Sequence, residues 1–247
     1  MIEHLSFSSI SKYMACPRSW KFKYIEQQPE KKSSALAFGS AFHDAIESYV
    51  IRTNPEQTIK EKWDAAWAKQ AEKNGFDDDE TPEALYNDGL RMFSSPKVMY
   101  EINAIQAPQA IELPVRLTVP GVPVPVIGFI DIVTADGVIG DIKTSKSKWP
   151  EDKAKNSLQP LFYLAACQQM GIATPMNFRH YVFVKTKEPQ VQVIETEYKP
   201  AQLLFLFSLI QNVWRGIDAG VFYESPDGWL CNENYCDFWK LCRGRFE

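Results

Sequence analysis

No stretch of the 247 residues is apolar for long enough to cross a bilayer, and Met1-Ile2-Glu3-His4 opens without a basic stretch ahead of an apolar core. Membrane insertion and secretion are set aside, and the expectation is a soluble, cytoplasmic protein. Internal repeats, low-complexity tracts and Gly/Ser linkers are missing too, so one unit over 1–247 is expected rather than a string of domains. Neither glycine fingerprint for phosphate binding is present, which excludes Rossmann and P-loop readings. A positive surplus is also lacking: 27 Lys and Arg face 31 Asp and Glu, for a net charge of -4. Proteins that coat nucleic acid need clustered cations, so that class is disfavoured. An enzyme with a local basic groove is not, because a substrate feels where charges sit and not their sum. Lys143, Lys146, Lys148, Lys153 and Lys155 are the candidates for such a groove. Five cysteines without a secretory leader make a disulfide framework the weaker account of Cys16, Cys167, Cys231, Cys236 and Cys242.

What is present is core material, 45% hydrophobic and 13% aromatic residues. Serine caps followed by Ile10, Tyr13, Trp20, Phe22 and Tyr24 predict a helix over 6–26, interrupted near Pro17. Ala37, Ala41, Ala45 with Phe38, Phe42, Ile46 predict another over 34–51, and further helical patterns cover about 56–74 and 81–104. Between these last two, the run Asp77-Asp78-Asp79-Glu80 reads as a solvated turn and cap. From 109 the period changes to two: Ile111, Leu113, Val115, Leu117 alternate, then VPVIGFIDIV and GVIGDIKT follow across Ala135-Asp136-Gly137. Three strands result, the last two a hairpin. A helix at 156–170, strands at 176–186 and 190–197, and an apolar helix at 199–218 complete a mixed α/β sandwich with a helical addition.

The hairpin carries the chemistry. In a strand Asp141 and Lys143 project to one side while Ile142 enters the opposite layer, and a turn at Asp136-Gly137 brings Asp131 alongside. Acids inside so apolar a run need neutralising, and a divalent cation does so directly. Oxygen ligands with few sulfur or imidazole partners favour magnesium or manganese over zinc. A D-x-K pair taken alone more often marks an exposed cross-strand ion pair. His43 alone suits a core or surface histidine that pairs with Glu47 one turn later.

The series Gly39 and His43, Gly128 to Asp131, Asp141 to Lys143, then Gln159 and Tyr163 resembles the PD-(D/E)XK nuclease superfamily and, within it, the RecB-like branch. That branch includes the nuclease domains of AddAB and RecBCD and the CRISPR-associated adaptation nucleases. The resemblance implies a restriction-endonuclease-like mixed sheet flanked by helices: a helical region over 1–105, a nuclease core over 106–198, and a C-terminal helix and Cys-rich tail over 199–247. It implies that His43, Asp131, Asp141 and the carbonyl of Ile142 hold Mg2+ or Mn2+. Lys143 serves the attacking water, and Gln159 and Tyr163 hold the site and contact DNA. Glu112 sits where many relatives carry an acid at the start of the first core strand. Cys16 with Cys231, Cys236 and Cys242 resembles the subset that holds a 4Fe-4S cluster; four thiolates also suit structural zinc. The gap between Cys231 and Cys236 is longer than in many members. Cys167 reads as a buried apolar residue, and Phe238, Trp239, Lys240, Arg243 and Arg245 read as packing around the cluster rather than stacking on DNA.

The implied activity is a metal-dependent deoxyribonuclease, an exonuclease working on DNA ends or single strands in recombination, replication or phage DNA processing, in a bacterium or phage-infected cell. Its partner is DNA, with a helicase, a recombinase or a single-strand-binding protein as candidate protein partners. The rivals are a non-catalytic DNA-binding or assembly subunit that keeps the fold, and a phosphohydrolase of small nucleotides.

Overall fold

The computed structural model describes residues 2–31, 33–52, 54–73, 76, 80–105 and 108–246. In chain order its elements are β1 (Leu5–Ser6), α1 (Phe7–Ala15), α2 (Pro17–Tyr24), α3 (Ser34–Val50), α4 (Ile59–Lys73), α5 (Pro82–Phe93) and α6 (Pro96–Ala104). There follow β2 (Ala110–Leu117), β3 (Val126–Val133), β4 (Ile139–Ser145), α7 (Glu151–Lys155), α8 (Gln159–Gln169), β5 (Asn177–Val184), β6 (Gln190–Glu197) and α9 (Pro200–Asp218), then two short 3-10 turns.

Local chemistry sets the helix starts. Ser6, Ser33 and Thr81 each accept a hydrogen bond from a first-turn N–H of α1, α3 and α5, and prolines open α2, α5 and α6 where a missing N–H is not needed. The single helix expected over 81–104 is two. Ser94 closes α5 by donating its N–H to Leu90 O at 2.9 Å, and Pro96 cannot continue the ladder and starts α6. β1 and α7 are additions to the expected elements. Asp77, Asp78 and Asp79 lie outside the described residues; Glu80 is paired, accepting from Ser34 Oγ at 2.9 Å and from Lys185 Nζ at 3.1 Å.

The strands form a six-stranded mixed sheet in the order β1-β3-β4-β5-β6, with β2 also paired to β3. β1/β3 and β4/β5 are parallel; β3/β4 and β5/β6 are antiparallel. The β3–β4 turn is the expected one: Thr134 N–H donates to Val138 O at 2.9 Å, and Gly137 takes φ +80°, a left-handed value that glycine adopts without strain.

The chain forms two compact units. One comprises Met1–Lys31, Val115–Gly128 and Pro200–Glu247. Trp20 is its buried centre, stacked on Phe222 at 5.8 Å and edge-on to Tyr13 at 5.7 Å, with its indole N–H donating to Ser9 Oγ at 3.1 Å. The other comprises Lys32–Pro114 and Phe129–Lys199. Here α3 lays its Ala37, Ala41, Ala45 and Phe38, Phe42, Ile46 face into a core shared with Ile142, Tyr181 and Phe183 of the sheet. Phe42 stacks on Phe93 at 4.6 Å; burying one such ring contributes about 1.5–3 kcal/mol.

Candidate active site

β4 and β5 set the geometry. Their register pairs Ile139, Asp141 and Lys143 with Phe178, His180 and Val182, so these six share one face while Ile142 faces the α3 layer, as expected. Where the β3–β4 ladder reaches Ile132–Gly140, the Asp131 carboxylate takes the next backbone donor, accepting from Ile142 N–H at 2.7 Å. This bond fixes Asp131 beside Asp141. On the Asp141 face, α8 packs through Tyr163, whose ring stacks on Phe178 at 6.1 Å. Gln159, one turn earlier, donates its amide to Tyr163 Oη at 2.9 Å. α3 delivers His43, with Nε2 at 3.1 Å from Asp131 Oδ2 and Nδ1 at 3.9 Å from Glu47 and 4.0 Å from Glu112. Lys143 Nζ donates to Asp141 Oδ1 at 2.7 Å. His43, Asp131, Asp141 and Lys143, spread over a hundred residues of chain, thus meet in one place, with Gln159 and Tyr163 beside them.

The electrostatics are those of a crowded acid site. Asp141 is 1% exposed, and burial lifts its carboxyl to about 6 against the pull of Lys143. Burial would raise Asp131 as well, but His43, Lys143 and the Ile142 N–H outweigh it and hold Asp131 below the ordinary range. Burial opposes the charge on His43 and on Lys143, and the surrounding acids overcome it, so both sit above their ordinary values. Glu47 is raised by burial and then by Glu112. Tyr163 is pushed well above the tyrosine range by burial first and then by Asp141.

Three buried atoms of this site are left without an aligned hydrogen-bond partner: Asp141 Oδ2, His43 Nε2 and His180 Nδ1. The 3.1 Å contact of Nε2 with Asp131 is therefore an electrostatic approach rather than a directed bond. Carboxylates in excess over cations, with an oxygen and an imidazole nitrogen both unclaimed, are the donor set a divalent ion fits. His43, Asp44 and Glu47 also bring one donor atom each within 4.8 Å of one another, a group that could hold a metal. Asp44 is already engaged by Lys69 at 2.9 Å and Gln70 at 3.0 Å, which leaves it the least free of the three.

Residue types alone gave little reason to single out Glu47, Glu112 and His180. Glu112 takes φ +48° within β2, a left-handed conformation that is uncommon for a glutamate and that clusters at functional sites. His180 is buried opposite Asp141, its Nδ1 without a partner; burial and then Lys143 lower it to about 4, so it is neutral at pH 7. Its register with Asp141 was the available signal. Of the expected basic groove, Lys143 belongs to the acid site, Lys146 lies 3.3 Å from Glu80, and Lys153 sits over the Trp149 ring.

The cysteines gather separately. Cys16 is the extended residue between α1 and α2, and Cys16, Cys231, Cys236 and Cys242 line one cavity of about 360 Å³ as free thiols. Phe238 is buried against Phe22, and Arg243 lies over the Trp239 ring, while Lys240, Arg243 and Arg245 are exposed. Cys167 is fully buried in α8.

Among the described residues no helix is long and apolar enough to cross a membrane. No curated protein sequence matches the chain. The crystal structure of a protein from Eubacterium rectale, named a "Putative exonuclease", superposes with a TM-score of 0.62 at 14% identity, over 98% of this chain and 88% of that one. A crystal structure of SSO0001 superposes with a TM-score of 0.40 at 13% identity, over 94% of this chain and 95% of that one. The sequence model of the PD-(D/E)XK nuclease superfamily matches residues 4–243, and the mixed sheet flanked by helices agrees with its restriction-endonuclease-like core. On that match the chain belongs to the PD-(D/E)XK nuclease superfamily.

Proposed function

We propose that the chain is a magnesium- or manganese-dependent deoxyribonuclease of the RecB-like branch, working as an exonuclease on DNA ends or single strands. The observation that carries this is the buried Asp141, its Oδ2 unclaimed, set between Lys143 and the His43–Asp131 pair. The branch is supported by the order of His43 on a helix ahead of the sheet, then Asp131, Asp141-x-Lys143, and Gln159 with Tyr163 on the following helix. The name given to the E. rectale protein of the same fold supports the exonuclease assignment.

Asp131, Asp141 and His43, with the Ile142 carbonyl and one of Glu47 or Glu112, would hold the ion. Once bound, a divalent cation supplies Lewis-acid polarisation of the scissile phosphate and a more acidic water. The protein's own groups do the rest. Lys143, which bonds Asp141 Oδ1 at 2.7 Å, would supply a charged ammonium to orient the attacking oxygen and offset the growing negative charge on phosphorus. Tyr163, held protonated and aimed by Gln159, keeps a donor at the site edge for a phosphate oxygen. Without the ion, His43 favours the ionised form of Asp131.

The four cysteines are proposed to hold a 4Fe-4S cluster. What supports a shared site is that all four line one cavity as free thiols; four thiolates suit such a cluster and also a structural zinc, so metal content decides between them. Anaerobically purified protein should be brown with about four irons per chain; colourless protein with stoichiometric zinc would overturn the assignment.

The function is tested by incubating end-labelled linear and closed circular DNA, single- and double-stranded, with the protein and Mn2+ or Mg2+. Mononucleotide or short-oligonucleotide release from linear DNA, with circles spared, is expected. Equal cutting of circles would refute the exonuclease reading, and DNA binding with no cleavage would refute the enzyme.

A further inference from the structure

A cavity of about 340 Å³ lies at the C-terminal end of α3, between that helix, the start of α4 and the end of α6. Lys62 of α4 lines it at 6% exposure, and Arg52 lines it from the chain just past α3. Among the described residues no acid lines it, and Lys62 has no ion-pair partner. Its stem is packed away while its ammonium opens onto the cavity, where an anion can take the place of water. The α3 C-terminal carbonyls provide about half a negative charge, which complements one cation and leaves the second uncompensated. Neutral polar groups complete the wall: Gln57, and the Asn103 amide, whose oxygen accepts from Tyr49 Oη at 3.2 Å.

We propose that this cavity is a phosphate-binding subsite that grips the DNA strand beside the scissile bond. Several donors on different elements, with no acid among them, match a tetrahedral oxyanion better than a planar carboxylate or a chloride. The connection to the catalytic centre is α3 itself. Val50, which lines the cavity, is seven residues after His43 and so on the same helix face, about 10 Å along the axis. At a rise of about 3.4 Å per nucleotide that is about three nucleotides of strand. The assignment rests on the nuclease reading for the identity of the strand, while the anion site stands on the cavity alone.

Both parts are read without cleavage. In EDTA, thermal unfolding is followed with inorganic phosphate against sodium chloride at equal ionic strength. The wild type should gain a few degrees, about what saturating a weak ligand provides. Lys62→Met should gain nothing, Lys62→Arg should keep the gain, and His43→Ala should keep it too, because the catalytic centre is not involved. Absence of a phosphate-specific gain in folded wild type, or an equal gain in Lys62→Met, overturns the site. If Lys62→Met does not fold, the comparison passes to Arg52→Gln and Lys62→Gln, judged in the same way. Single-stranded oligonucleotide binding is then measured against salt in the Asp141→Asn protein with and without Lys62→Met. The slope of log K on log salt should fall by about 1, the signature of one lost phosphate contact. An unchanged slope refutes the strand assignment and leaves a site for free phosphate. A wild type that gains from phosphate but cleaves no DNA with Mn2+ or Mg2+ would instead count against the nuclease reading and leave the anion site standing.

Discussion

Asp141→Asn should make the metal-free protein more stable at alkaline pH while removing its response to divalent ions. A carboxyl that holds its proton more tightly in the native than in the unfolded chain gives stability that is present below the unfolded pKa and lost as pH rises through the folded one. For Asp141 those values are 3.8 and about 6, and burial is the cause. The interval corresponds to about 3 kcal/mol at about 1.36 kcal/mol per pKa unit, a penalty the wild type carries in full above about pH 7. Asparagine does not ionise and escapes it. The pull of Lys143 is already contained in that value. The variant should therefore be more stable by up to about 3 kcal/mol near pH 8 in a chelator, and by about half as much near pH 5, where native Asp141 is largely protonated. Added Mn2+ should close most of the gap, since a ligand at about a hundredfold over its Kd stabilises the native wild type by about 2.7 kcal/mol. Denaturant unfolding at both pH values, with EDTA and with Mn2+, reads all three. A variant less stable than wild type near pH 8 in EDTA would refute the argument that burial, rather than pairing with Lys143, dominates at Asp141.

Three further outcomes are expected. Glu112 holds a left-handed backbone, so Glu112→Val should be about 1–2 kcal/mol less stable than Glu112→Asn, measured by denaturant midpoint, because a β-branched residue resists that conformation. A Cβ at Gly89 would fall 2.1 Å from Cζ2 of the buried Trp63, so Gly89→Ala should destabilise by about 1–3 kcal/mol and lower Tm by several degrees. Asp136 is held at about 2 by the forked bond from Arg179, with Nη1 at 3.1 Å and Nη2 at 2.7 Å. The pair's contribution is present above the unfolded value of 3.8 and lost as pH falls through about 2; with Asp136 53% exposed it amounts to under about 1 kcal/mol. Arg179→Met, which also loses the 2.8 Å bond from Nε to Glu195, should cost at least that much at neutral pH, and less in high salt, by calorimetry.

The sequence carried the hairpin because its signals are local: alternating apolar residues, a turn glycine at Gly137, and two acids and a lysine whose strand spacing fixes their faces. It did not carry the break between α5 and α6, since Leu85, Met92, Val98 and Ile102 keep a helical rhythm across the Ser94-Ser95-Pro96 stop. β1 is two residues long and exists through its pairing with Val126 and Ile127, more than a hundred residues away, which no local pattern encodes. His43 was legible from its place in a series, whereas the conformation that turns Glu112 toward it is a tertiary outcome. The cysteines were legible as a set, but their spacing around a cavity is decided by how α1, α2 and the tail pack.

Lys143 offers the most direct test of the central claim. Wild type and Lys143→Met are compared for Mn2+-dependent cleavage of end-labelled linear DNA, with Mn2+ binding followed in parallel by the rise in Tm. The account predicts cleavage by wild type, its loss by several orders of magnitude in the variant, and a Tm rise in both. Cleavage at wild-type rate by Lys143→Met, or none by a wild type that binds the ion, would contradict it.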